Sequence, residues 1–137
     1  MIILDTSVLL AFLWAADPSH EQVAAFMDAE SGPFIVSPYV VAELDYLLLS
    51  KGGVRAELIA LDALSGGAYE LPLMGSADVA SCMGLLIRYA DHRVGVTDAS
   101  LVVLADRYGT NRIATFDHRH FSVLRALDGS PFTLVPA

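Results

Sequence analysis

The apolar positions of the chain switch repeatedly between a strand period and a helix period. Met1-Ile2-Ile3-Leu4 is a short run without alternation, the pattern of a strand buried on both faces of a parallel sheet. Asp5 ends it, and Thr6 or Ser7 supplies an N-cap for the apolar stretch Val8 to Ala16, which Asp17-Pro18 closes. A second helical segment runs from Ser19 or His20 to about Glu30, with Val23, Phe26 and Met27 on one face. After the break at Gly32-Pro33, Phe34-Ile35-Val36 reads as a strand. Ser37-Pro38 then sets an N-cap before a proline at the first helical position, starting a helix that reaches about Lys51 and ends at Gly52-Gly53.

Val54 to Leu64 predicts a fourth helix, Tyr69 to Met74 a strand, and Ser76 to Ala90 a helix weakened at Gly84. Thr97 caps a further helix, Asp98 to Tyr108, stopped by Gly109. Arg112 to Thr115 and Phe132 to Val135 complete the strands. About five strands spaced by six or seven helices predict a three-layer α/β/α fold with a central parallel sheet covered on both faces. No repeat, linker or low-complexity tract divides residues 1–137, so a single domain is expected.

Composition sharpens this picture in two ways. Hydrophobic residues make up 55% of the chain and charged residues 18%, against typical shares near half and near a quarter. That excess predicts an apolar surface that meets a partner. Leu9, Leu10, Phe12, Leu13, Trp14, Leu47, Leu48 and Leu49 on the early helices are candidates, unless both faces of those helices are core. No apolar run is long enough to cross a bilayer, the N-terminus lacks a signal-peptide pattern, and Cys82 stands alone, so a reducing cytoplasm is expected.

The net charge is -8, which argues against a passive nucleic-acid coat. It is unevenly spread. Met1 to Gly84 carries 2 basic and 11 acidic residues, a sum of -9, whereas Leu85 to Ala137 carries 6 basic and 5 acidic, a sum of +1. All the late basic residues are arginines.

In open α/β sheets, sites form beyond the carboxyl ends of the strands. Asp5 and Asp117 fall there in this reading. Glu43 interrupts the apolar run Tyr39 to Leu44, where burial would demand a partner or a metal, and Asp98 lies in the first turn of a late helix. Each has a plain structural alternative. Capping and helix dipoles explain Asp5, Asp98 and Asp117, and a solvent-facing turn explains Glu43, with Asp45 equally able to be the exposed acid. Asp91 reads as solvated.

The joint order of these acids resembles the PIN-domain family. The matching stretches are Leu4-Asp5-Thr6-Ser7, Val41-Ala42-Glu43-Leu44, Val96-Thr97-Asp98-Ala99-Ser100 and Ile113-Ala114-Thr115-Phe116-Asp117. The stretch Asp98 to Phe121 is particularly similar to the VapC toxins. This resemblance implies that Asp5, Glu43 and Asp98 are core metal-site acids, with Asp117 a more variable fourth and Thr6 and Thr115 accessory hydroxyls. It also implies a Mg²⁺- or Mn²⁺-dependent endoribonuclease, the toxin of a type II VapBC toxin–antitoxin pair, cutting structured RNA such as tRNA or rRNA and so inhibiting translation. A VapB-type antitoxin and a homodimer are the partners it implies.

Elementary chemistry is compatible with that expectation. Oxygen ligands suit hard cations, and two carboxylates about 5 Å apart repel by roughly 3 kcal/mol at an effective dielectric near 20, a cost that a cation removes. Arg112 and Arg119 flank Asp117 and are candidate phosphate contacts. Two rivals stay open: a metal-free ribonuclease using His118 or His120 as general base, and a non-catalytic PIN-like or receiver-like binding module. The receiver reading is weakened because Asp5 is unpaired and Lys51 is the sole lysine.

Overall fold

The computed structural model describes residues 1–136. Along the chain it places β1 (Ile2–Leu4), α1 (Thr6–Leu13), α2 (His20–Ala29), β2 (Phe34–Ile35), α3 (Pro38–Ser65), β3 (Tyr69–Glu70) and α4 (Ser76–Arg88). A 3-10 turn at Ala90–His92 leads to α5 (Val96–Tyr108), β4 (Arg112–Ala114), α6 (His118–Phe121) and β5 (Thr133–Val135). The strands form one parallel sheet in the order β3-β2-β1-β4-β5, flanked by helices as the hydrophobic pattern predicts.

Ile2, Ile3 and Leu4 are fully buried, which fits their place at the centre of the sheet. Each such side chain contributes about 1.5–3 kcal/mol of burial energy. From β1 the sheet grows one way through β2 and β3 and the other way through β4 and β5. The topological switch therefore lies between β1 and β4, where open α/β sheets form their crevices.

Helix α5 packs on β1, β4, α3 and α4. Every residue from Ala99 to Ala105 is buried, so this helix has no solvent face over that stretch and its sequence lacks an amphipathic stripe. Part of the chain's apolar excess is spent here. Leu9, Leu10 and Leu48 are likewise core, and Phe12, Leu13, Trp14 and Leu47 pack against it, so the early helices are mostly interior rather than interface. Large exposed apolar side chains include Tyr46 and the interface candidate Leu49 on the first arm of α3, Val54, Leu58 and Ile59 on its second arm, and Val79, Met83 and Ile87 on α4.

Several boundaries differ from the sequence-based expectation, each for a local reason. Asp5, not Thr6 or Ser7, is the N-cap of α1, its side chain accepting the Thr6 N–H at 2.8 Å. That helix ends at Leu13, with Trp14 already extended. Gly95, with φ 87°, begins α5 in place of Thr97, a backbone geometry that glycine tolerates. Gly52-Gly53 bends the chain without ending it: Gly53 has φ 74° and ψ -172°, and the helix resumes directly, giving α3 two arms. Sheet pairing covers only Tyr69–Glu70 and Thr133–Val135 of the longer apolar runs. No helix among the described residues is long and apolar enough to cross a membrane.

Candidate metal centre at the sheet switch point

Asp5 leaves β1 with its N–H donating to the Ala114 carbonyl at 2.9 Å, so the sheet ladder itself carries it beside the end of β4. Its carboxylate is nearly enclosed. Oδ1 accepts from the Thr6 N–H, and Oδ2 accepts from the Thr115 hydroxyl at 2.6 Å. The same Thr115 oxygen accepts the Asp117 N–H at 2.8 Å. One buried hydroxyl thus joins the turn after β1 to the turn after β4. Ser7 adds a second tie, its Oγ accepting the Phe116 N–H at 3.0 Å.

Asp117 caps α6 through Oδ1, which accepts the His120 N–H at 3.1 Å. Its Oδ2 stands 2.9 Å from His120 Nδ1, and the same nitrogen stands 3.0 Å from Asp98 Oδ2. Asp98 occupies the third position of α5, where the helix N-terminus suits an acid. Donor atoms of Asp98, Asp117 and His120 all lie within 4.8 Å of one another.

Electrostatics registers the crowding. Burial pushes the Asp98 carboxyl up to about 7, aided by the charges of Asp5 and Asp117 and opposed by His120. Burial also raises Asp5, while the Thr115 and Thr6 hydrogen bonds pull it back down and the charges of Glu43 and Asp117 raise it further. Glu43 is therefore within electrostatic reach of Asp5, but it is an exposed residue rather than the buried acid its apolar neighbours suggest. The reason is helical phase: Val40, Leu44 and Leu48 form the buried stripe of the first α3 arm, and Glu43 sits on its flank.

Of the other candidates, Thr6 is buried and its hydroxyl has no hydrogen-bond partner among the described residues. Arg119 is exposed on α6 beside Asp117. Arg112 is not brought to this crevice. It starts β4, at the opposite end of the strand from Asp117, and forks onto Glu30 with contacts of 2.6 and 3.1 Å. Asp91 is exposed in the 3-10 turn. A hollow of about 390 Å³ opens at that opposite end, lined by Arg112, Asn111 and Asp128 among others, and it contains none of the four acids.

His120 and two buried serines were not among the candidate ligands or supports that the sequence suggested. Ser100 Oγ donates to the Thr97 carbonyl at 2.6 Å and lies 2.7 Å from Ser37 Oγ, tying the start of α3 to the start of α5. The available signal was spacing: His120 is three residues after Asp117, and Ser100 is two after Asp98. The donor set fits a hard divalent cation. Burial, with the charges of neighbouring carboxylates added to it, raises Asp98 and Asp5, and a buried hydroxyl is left over beside Asp5.

The fold has counterparts among known proteins. The profile of the PIN domain matches residues 2–127, and the chain belongs to the PIN domain family. Within it, the chain is 49% identical over 135 residues to Ribonuclease VapC26 of Mycobacterium tuberculosis, covering 98% of this chain and 100% of that protein. Its fold matches the crystal structure of Mycobacterium tuberculosis VapC20, a sarcin-ricin loop cleaving toxin, with a TM-score of 0.81 at 19% identity over 87% of this chain and 92% of that one. FitAcB from Neisseria gonorrhoeae superposes with a TM-score of 0.66 at 23% identity, covering 97% of each chain.

Proposed function

We propose that this chain is a divalent-cation-dependent endoribonuclease, the toxin of a VapBC-type toxin–antitoxin pair, which stops translation by cutting structured RNA, either tRNA or rRNA. The observation that carries the reading is the convergence of Asp5, Asp98 and Asp117 at the switch between β1 and β4, with Glu43 in electrostatic reach. The near-full-length identity to a VapC ribonuclease supports it.

Asp5, Glu43, Asp98 and Asp117 would hold the cation, Mg²⁺ or Mn²⁺. Bound there, such an ion polarises a phosphodiester and makes water a competent nucleophile near neutral pH. The chain supplies the rest. Thr115 fixes Asp5 and the backbone of Asp117 through one oxygen, so two carboxylates cannot drift apart independently. Asp98 or Asp117 orients the attacking water, and Thr6 offers its unpartnered hydroxyl. Arg119 meets the RNA backbone as a positioning contact.

A toxin needs a cover, and a VapB-type antitoxin is the partner this reading assigns. The uncharged face of α4, with Val79, Met83 and Ile87 spaced at i, i+4 and i+8, serves a homodimer, leaving the second arm of α3 for the inhibitor. This reading assigns the protein to the cytoplasm, where its RNA substrate lies.

The deciding experiment incubates the purified chain with total RNA and Mn²⁺, beside an Asp5→Ala control and an EDTA arm, and analyses product ends. Cleavage with 5′-phosphate and 3′-hydroxyl ends, absent from both controls, is expected. Cyclic phosphate ends insensitive to EDTA would restore the reading in which His118 or His120 acts without metal, and no cleavage of any RNA would restore the binding module.

A further inference from the structure

Helix α6 is a single turn, and its shape is dictated by Asp117: Oδ1 holds the backbone of His120, and the ring folds back over the cap. Nδ1 then faces two carboxylate oxygens from two different elements, at 2.9 Å and 3.0 Å. A neutral imidazole carries at most one hydrogen on that nitrogen, which can point well at only one of them. A shared cation would satisfy all three donor atoms together. In an octahedral shell with bonds of about 2.1 Å, neighbouring donors stand roughly 3 Å apart, which the two distances from Nδ1 match, while all three donor atoms lie within 4.8 Å of one another.

We infer that His120 is a nitrogen ligand of the cation held by Asp98 and Asp117, and that it tilts the site toward Mn²⁺ and away from Mg²⁺. The inference rests on the reading of the crevice as a cation site. It adds a donor of a different chemical kind to an all-oxygen set. First-row transition ions accept an imidazole nitrogen, Mn²⁺ the most weakly among them, whereas Mg²⁺ keeps to oxygen ligands and water. Replacing the ring by glutamine offers an oxygen of comparable reach, so a loss confined to Mn²⁺ separates ligation from mere orientation of the two acids.

The test uses the full, tag-free chain in nitrogen-free buffer. Electron spin-echo envelope modulation of bound Mn²⁺ reports a directly coordinated imidazole nitrogen. The ¹⁴N signal should be present in the wild type, persist in His118→Gln and vanish in His120→Gln. Titrations of Mn²⁺, with Mg²⁺ in competition, should show the preference for Mn²⁺ falling about tenfold or more in His120→Gln. Mn²⁺ bound by the wild type without the nitrogen signal would overturn the role of His120 and leave the cation site standing, as would equal losses of both metals in His120→Gln. Failure of the wild type to bind Mn²⁺ at millimolar concentration would overturn both.

Discussion

Thr6 and Thr115 are both buried threonines close to Asp5, and their hydroxyls have opposite fates. Thr115 donates to Asp5 and accepts from Asp117, while the Thr6 hydroxyl has no partner among the described residues. Exchanging each for valine keeps the shape and removes the oxygen. Thr115→Val should lose about 1–3 kcal/mol, since it strands a buried carboxylate and a backbone N–H, whereas Thr6→Val should be neutral or slightly stabilising in EDTA. Urea denaturation of both variants checks this, and equal losses would mean that the Thr115 bonds do not persist in solution. Asp98 gives a second test, because its carboxyl is pushed up to about 7. A folded-state value above the unfolded one means that the native state holds more protons between about pH 4 and 7, so the metal-free protein loses stability as pH rises through that window. Asp98→Asn should flatten that slope and melt at or above the wild type in EDTA, then fall below it in Mn²⁺, where the wild type gains binding energy that the variant forgoes. A variant melting far below the wild type in EDTA would make Asp98 a structural cap. Asp5, Asp98 and Asp117 were legible as candidates in the sequence because each sits where a strand meets a helix or a helix begins. His120 was not, because a one-turn helix after Asp117 leaves no periodic signal and the ring's reach back over its own cap is a purely three-dimensional event.

Strand β4 separates two arginine environments that lie close in sequence. Three strand residues advance roughly 10 Å, enough to put Arg112 at the opposite end of the strand from Asp117, where Glu30 engages it. Proximity in sequence therefore misled for Arg112 and remains informative for Arg119. Substituting Arg119 by alanine should lower the salt dependence of RNA binding by about one unit of slope, and Arg112→Ala should leave that slope unchanged while slightly reducing stability. Binding measured across a salt series distinguishes them; a slope change in Arg112→Ala alone would reverse the assignment. Helix α3 teaches a similar lesson. Gly52-Gly53 reads as a terminator because glycine pairs usually are, yet the second arm starts within one residue, since only the Gly53 backbone must leave helical space. The succession of helices and strands along the chain was otherwise recoverable from period and punctuation, and the residual errors fall at caps, where one residue's φ decides the boundary.

At the scale of the molecule, the question is where the apolar excess goes. Most of it is interior, through α5 and the early helices, and part of the remainder surfaces on α4 and the second arm of α3. Placing aspartate at Ile87, an exposed position, should leave folding intact and convert the proposed dimer to a monomer, read by sedimentation velocity beside the wild type; an unchanged dimer would move the interface off α4. On the toxin reading proposed above, the interior share has a further consequence for a cell that makes this protein without the proposed antitoxin. Survivors of such selection would carry disabling substitutions, and these would not be confined to the acids. From Ala99 to Ala105 no side chain has water to turn to, so a charge introduced anywhere in that stretch must either be buried unpaired or break the helix away from the sheet. Sequenced survivors should therefore fall into two clusters, one at the carboxylates and one along this helix, and the second should be recognisable by protein that is no longer found folded.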